Sequence, residues 1–131
     1  MQTIISHFSN AAAMTITLEG LASSTSGAGR QSDFVDNTAG HRDVLLFVRV
    51  RQGTSPTAHR GAYVYLLRDD GDASTPLRTD DADANDAAIT IRNAELIGVL
   101  QNGGAPATGD DLAGSFLIHQ PGPKWAIAIV H

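Results

Sequence analysis

Apolar and polar positions alternate along most of this chain, and helical spacing is weak almost everywhere. Met14, Ile16 and Leu18 alternate with Thr15 and Thr17, the pattern of a half-buried strand. Residues 44–50, VLLFVRV, are apolar on both faces as far as Arg49, which predicts a strand deep in a sandwich. The stretch AYVYLL at 62–67 sets Tyr63 and Tyr65 on one face, with Val64 and Leu66 on the other. Ile89 and Ile91 flank Thr90, and further apolar runs follow at 96–100, 115–118 and 125–130. In the last of these, WAIAIV, Trp125, Ile127 and Ile129 share one face and Ala126 and Ala128 the other. Such large-against-small alternation suits a strand whose small face lies close to a neighbouring layer.

Turn signals separate these runs: SSTSGAG at 23–29, QGTSP at 52–56, DDGD at 69–72, QNGG at 101–104 and QPGP at 120–123. A parallel α/β sheet would need amphipathic helices of ten or more residues between strands, and none is legible. The pattern therefore predicts an all-β chain, an antiparallel β-sandwich or jelly roll of about seven or eight short strands. Residues 1–13 join the alternation poorly and are expected to form an N-terminal arm or extra edge strand, leaving 14–131 as the sandwich domain.

Composition narrows the functional classes. The 131 residues suit one domain, 42% hydrophobic and 18% charged, with a mean hydropathy of -0.08. A net charge of -5 and only nine scattered Lys and Arg speak against a nucleic-acid surface, which needs clustered cations. There is no cysteine, so thiolate nucleophiles, disulfides and thiolate metal sites are excluded. The start, MQTIISHFSNAAAM, lacks the basic and apolar regions of a signal peptide. No run approaches the ~18 apolar residues of a membrane span. A soluble protein without membrane contact is expected.

Candidate chemistry is sparse. Seven of fourteen acidic residues fall between Asp69 and Asp86: Asp69, Asp70, Asp72, Asp80, Asp81, Asp83 and Asp86. Asp81-Ala82-Asp83-Ala84-Asn85 spells the opening D-x-D-x-N of a calcium loop. However, Asp86 stands where the turn needs Gly, and Arg92 where a bidentate Glu belongs. A solvated acidic loop is the favoured reading, with a looser calcium site of loop carboxylates and carbonyls as the alternative. His7, His41, His59, His119 and His131 show no metal-ligand spacing, and no G-x-S-x-G or phosphate-binding loop occurs. Aromatic residues make up 5%, which is thin for a sugar-binding cleft. In GRQSDFVDN at 29–37, Ser32, Asp36 and His41 contain the residue types of a hydrolytic triad. The stretch is better explained as a polar brace ahead of a buried strand, with Phe34 and Val35 dipping inward. No catalytic, cofactor or metal residue is expected, and the chain is read as a non-enzyme.

The segments LEGLASSTSGAGRQSDFVDNT, DVLLFVRVRQGTSPT, AYVYLLRDDGD and PKWAIAIVH, in that order, resemble a family of small virion proteins of tailed bacteriophages and prophages. That family's pattern is a leading strand, G-R-x-S-x-x-V-D-N and a T-G-T-S-P-like turn. A V-Y-V-Y-type strand, a D-D-G turn and a late P-x-x-W-G strand follow. The resemblance runs from about Met14 to the end, about nine-tenths of the chain. It departs from the pattern at Ala126, where Gly is common, and at His131, beyond which relatives continue with a further turn and strand. The last strand is expected to be missing or supplied by a partner.

The resemblance implies a particle component made in the host bacterial cytoplasm, with no catalytic residue or cofactor to carry over. A capsid decoration protein on the head surface is the implied role. It would bind the major capsid protein, as a homo-oligomer, a trimer by preference. The alternatives are a tail or baseplate component, or an adhesin module binding carbohydrate or another virion protein.

Overall fold

The computed structural model describes residues 2–7, 10–82 and 85–131. Among them lie ten strands: β1 (Gln2–His7), β2 (Asn10–Met14), β3 (Ala28–Gln31), β4 (Val35–Asp36), β5 (Asp43–Arg51), β6 (Gly61–Asp69), β7 (Ala87–Thr90), β8 (Glu95–Gln101), β9 (Asp111–His119) and β10 (Lys124–Val130). The helical content is a single 3-10 turn at Thr79–Asp81. The all-β expectation is met, with more strands than the alternation predicts. The additional ones are the β1–β2 hairpin, within the segment for which an arm or extra edge strand is expected, and the short β3 and β4, too brief or too rich in Gly and polar residues to show a period.

Two antiparallel sheets face each other. One has the order β2-β1-β5-β9; the other runs β7-β3-β10-β6-β8, with β4 also pairing β10. Val44, Leu46, Val48 and Ile118 from the first sheet meet Val64, Leu66, Leu100, Trp125, Ile127 and Ile129 from the second in one apolar core. In the hairpin, β1 pairs β5 from Gln2↔Arg49 to Ser6↔Leu45.

Residues 15–18, following the end of β2 at Met14, keep the burial alternation without being a strand: Met14 and Ile16 are buried while Thr15 and Thr17 are exposed. The segment crosses from one sheet to the other, so its backbone groups bond to loops. Thr15 O accepts Asp33 N at 3.0 Å, and Thr17 N donates to Asp86 Oδ1 at 3.0 Å.

β10 is central in its sheet and fits its pattern. Its large residues fill the core, while Ala126 and Ala128 lie under a second small cluster that includes Leu67, Phe34, Tyr65, Ile89 and Ile91. β5 departs from expectation. It is buried on one face only, and Leu45 and Phe47 on the other remain 38% and 43% exposed. Two-sided apolarity signals a covered strand, but among the described residues no layer covers the outer face of this sheet.

At one end, the connections 52–60 and 102–110 both cross between the sheets and bind each other. Gln52 N donates to Asp110 O at 2.8 Å and Asn102 N to Arg60 O at 2.7 Å. At the edge where β8 meets β9, glycines permit close approach. A Cβ on Gly98 would fall 2.0 Å from the Phe116 ring.

Candidate functional site

The nine residues 29–37 are a brace at the level of individual atoms. Ser32 is fully buried, and its Oγ accepts Ile127 N–H at 3.0 Å and donates to Asp33 O at 2.9 Å. Its own N–H donates to Ile127 O at 2.8 Å. The side chain thus continues a strand pairing where the backbone of β3 turns away. Arg30 donates through Nε to Asp86 Oδ1 at 2.7 Å and through Nη2 to Asp86 O at 2.8 Å. Asp86 N–H in turn donates to Asp33 Oδ1 at 2.9 Å. Asn37, also buried, donates to His41 O at 3.0 Å and Gly122 O at 2.9 Å, and its Oδ1 accepts His41 N–H at 3.0 Å. Phe34 joins the small outer cluster, beneath Arg78 and Lys124, while Val35 packs on the main core.

The triad residues have separate uses. Ser32 Oγ is occupied by backbone groups in the core, and the Asp36 carboxylate accepts Thr38 N–H at 3.0 Å on the surface. His41 is fixed through its backbone to Asn37.

The acidic loop is more structured than a solvated loop. Asp69 is buried, accepts Arg78 Nε at 2.7 Å and caps Gly71 N–H at 2.7 Å. Asp80 has a left-handed φ of 56 and gathers the N–H groups of Arg92, Asn93 and Ala94 at 2.9–3.0 Å. Asp72 accepts Ser74 N–H and the Ser74 and Thr75 hydroxyls, which hold its pKa down at about 2. Asp83 and Ala84 of the D-x-D-x-N stretch lie outside the described residues. Among the described residues, no group of three or more His, Asp or Glu is placed to hold a metal.

Asp86 links these elements, and the Arg30 bond is the main cause that lowers its pKa to about 2. A carboxyl with a depressed folded pKa stabilises the fold above its ordinary value of ~3.9, and that contribution is lost as pH falls toward the folded value. The protein is therefore expected to lose about 1–2 kcal/mol through Asp86 between roughly pH 4 and 2, allowing for its partial exposure. Urea midpoints for the wild type and Asp86→Asn across that range check this. The gap between the two should close toward pH 2, while the Asp72 contribution cancels in the comparison.

Exposed apolar side chains stand on both outer faces. On the four-stranded sheet, Leu45, Phe47 and Leu117 are joined by the pairings Leu45↔Leu117 and Phe47↔Ser115. On the other sheet, Tyr63, Leu96 and Val99 are exposed, with Tyr63↔Val99 and Tyr65↔Leu96 paired. A cavity of about 500 Å³ also opens at one end, walled by Leu18, Leu21, Val50, Leu112 and Ile129, with Arg51 at its rim. Sequence reasoning missed both faces. The signal was the apolarity of both sides of 44–50, which alternation alone reads as burial. No helix among the described residues is long and apolar enough to cross a membrane. No protein-family model matches the chain, and neither does any curated protein or solved structure.

Proposed function

We propose that the protein is a structural component of a tailed-phage particle, a capsid decoration protein that binds the assembled head and bridges major capsid subunits. The observation that carries this reading is the pair of exposed apolar faces on opposite sides of one braced sandwich. A rigid body with two adhesive faces is suited to joining neighbours. The ordered motifs around GRQSDFVDN and PKWAIAIVH support the same class. So does the use of Ser32, Arg30, Asp80 and Asp86 in holding loops and strands together.

The mechanism is linkage. A protein that binds only the expanded lattice adds its binding free energy to that lattice, and a copy touching two subunits gains through effective concentration. Copies made in the bacterial cytoplasm would collect on the capsid surface. Tail or baseplate placement differs in partner and copy number alone.

The adhesin reading draws on the exposed Tyr63 ring. Its neighbours Leu96 and Val99 offer no hydrogen-bonding side chain, whereas sugar recognition combines an aromatic platform with polar groups. Protein contact fits that surface better.

Purified protein is expected to bind expanded heads, and decorated heads should resist heat and low salt better than bare ones. Hundreds of copies per particle are expected from the number of capsid subunits. Failure to bind, with bare heads equally resistant, would rule decoration out.

A further inference from the structure

The outer face of the four-stranded sheet carries its own complement. Along β5 and β9 five rows of paired residues point outward: Asp43↔His119, Leu45↔Leu117, Phe47↔Ser115, Arg49↔Ala113 and Arg51↔Asp111. The rows are symmetric about Phe47 and Ser115. One end holds Arg49 and Arg51 around the single carboxylate of Asp111, with Arg51 Nε 3.3 Å from it. The other holds Asp43 against His119 at 2.7 Å. The cationic excess and the anionic group therefore sit at opposite ends of one apolar strip, about 27 Å apart along β5.

We propose that this face binds a second copy of the chain across a two-fold axis that runs across the strands at the level of Phe47 and Ser115. Rotation about that axis lays β5 on β5 and β9 on β9 in opposite directions. Asp43 then meets Arg51 of the partner subunit, and His119 meets Asp111 of the partner subunit. Leu117 lies against the partner's Ala113, large against small, and Leu45 against the aliphatic stem of the partner's Arg49. Phe47 sits on the axis and meets its own copy. An isologous interface needs one self-complementary patch, whereas a three-fold ring needs two different ones. The charge layout supplies the former.

The size is adequate. β5 and β9 have nine residues each, β1 six and β2 five, which gives a face of roughly 450 Å² in outline. With side-chain relief this reaches the lower end of specific interfaces, about 600 Å² per partner. The pairing makes the face between copies internal to the dimer and leaves the Tyr63, Leu96 and Val99 faces outermost on both sides. It stands whether or not the protein belongs to a phage particle, because it is measured on the purified chain alone.

Sedimentation equilibrium on the purified protein at low salt tests it. The wild type should be a dimer, and Phe47→Asp should weaken association by roughly 100-fold or more, since it places two like charges against each other on the axis. Asp43→Arg and Arg51→Asp should each weaken it, and the double variant should restore it. That rescue is specific to the two-fold pairing and independent of how well Phe47→Asp folds. The chain has no cysteine, so Ser115→Cys gives one thiol per copy on the axis. A short bismaleimide should join this variant into dimers, and should fail with Val99→Cys on the opposite face. A wild type that stays monomeric at millimolar concentration, a trimer, or single charge reversals without rescue would each overturn the proposal.

Discussion

Replacing Trp125 by alanine is expected to remove about 3–5 kcal/mol of stability, a large part of what a domain this size possesses. Trp125 is 1% exposed and is the largest of the fully buried side chains. It sits on β10, which pairs with β3, β4 and β6, so the void would open against the central strand of the larger sheet. The surroundings can relax little. Ser32 and Asn37 hold the loops beside β10, and Ala126 and Ala128 lie pressed beneath a second cluster on its other side. Urea unfolding at neutral pH, followed by circular dichroism, measures the loss. A midpoint shift equivalent to under ~1 kcal/mol would mean that the core does not close around this ring.

Gly61→Val is expected to be at least as damaging, for a different reason. A Cβ at Gly61 would lie 1.7 Å from Leu100 O and 2.7 Å from Leu100 C. Both are backbone atoms of the strand paired with β6 through Gly61↔Gln101, so no side-chain rotation relieves the clash. The start of the β6–β8 ladder would have to separate, with loss of the nearby Asn102–Arg60 and Asn102–Thr57 bonds. A cost of more than about 3 kcal/mol, or failure to accumulate as folded protein, is expected. Gly103→Ala is the control. Nothing lies within 4 Å of a Cβ there, and its effect should stay within about 0.5 kcal/mol. Soluble yield and thermal unfolding of the two variants side by side give the answer. Equal stability would show that the glycine at 61 has no steric role.

These two positions also separate what was legible in the chain from what was not. Trp125 was marked by the large-small alternation of WAIAIV, and its burial follows from that pattern. Gly61 was unmarked, because its constraint comes from Leu100, which is 39 residues further along the chain. The brace was half legible. GRQSDFVDN announced polar groups before an apolar strand, yet the partner of Ser32 Oγ is 95 residues away and the partner of Arg30 is 56 away. The acidic loop misled in a similar way. A run of aspartates looks solvated until Arg78, Asn93 and the N–H groups of 92–94 are brought to it.

By itself the sequence determined the all-β class, most of the places where strands break, and how the residues of β6 and β10 divide between two faces. These are consequences of local geometry, since side chains alternate with a period of two and Gly, Pro and Asp favour turns wherever they stand. Only the tertiary structure decided the order of strands in each sheet, the crossing at 15–18, and the exposure of Leu45, Phe47 and Leu117. A strand's own residues specify how its two faces differ. Whether a second layer covers a face depends on segments far away in the chain, or on another molecule, and no local pattern encodes that.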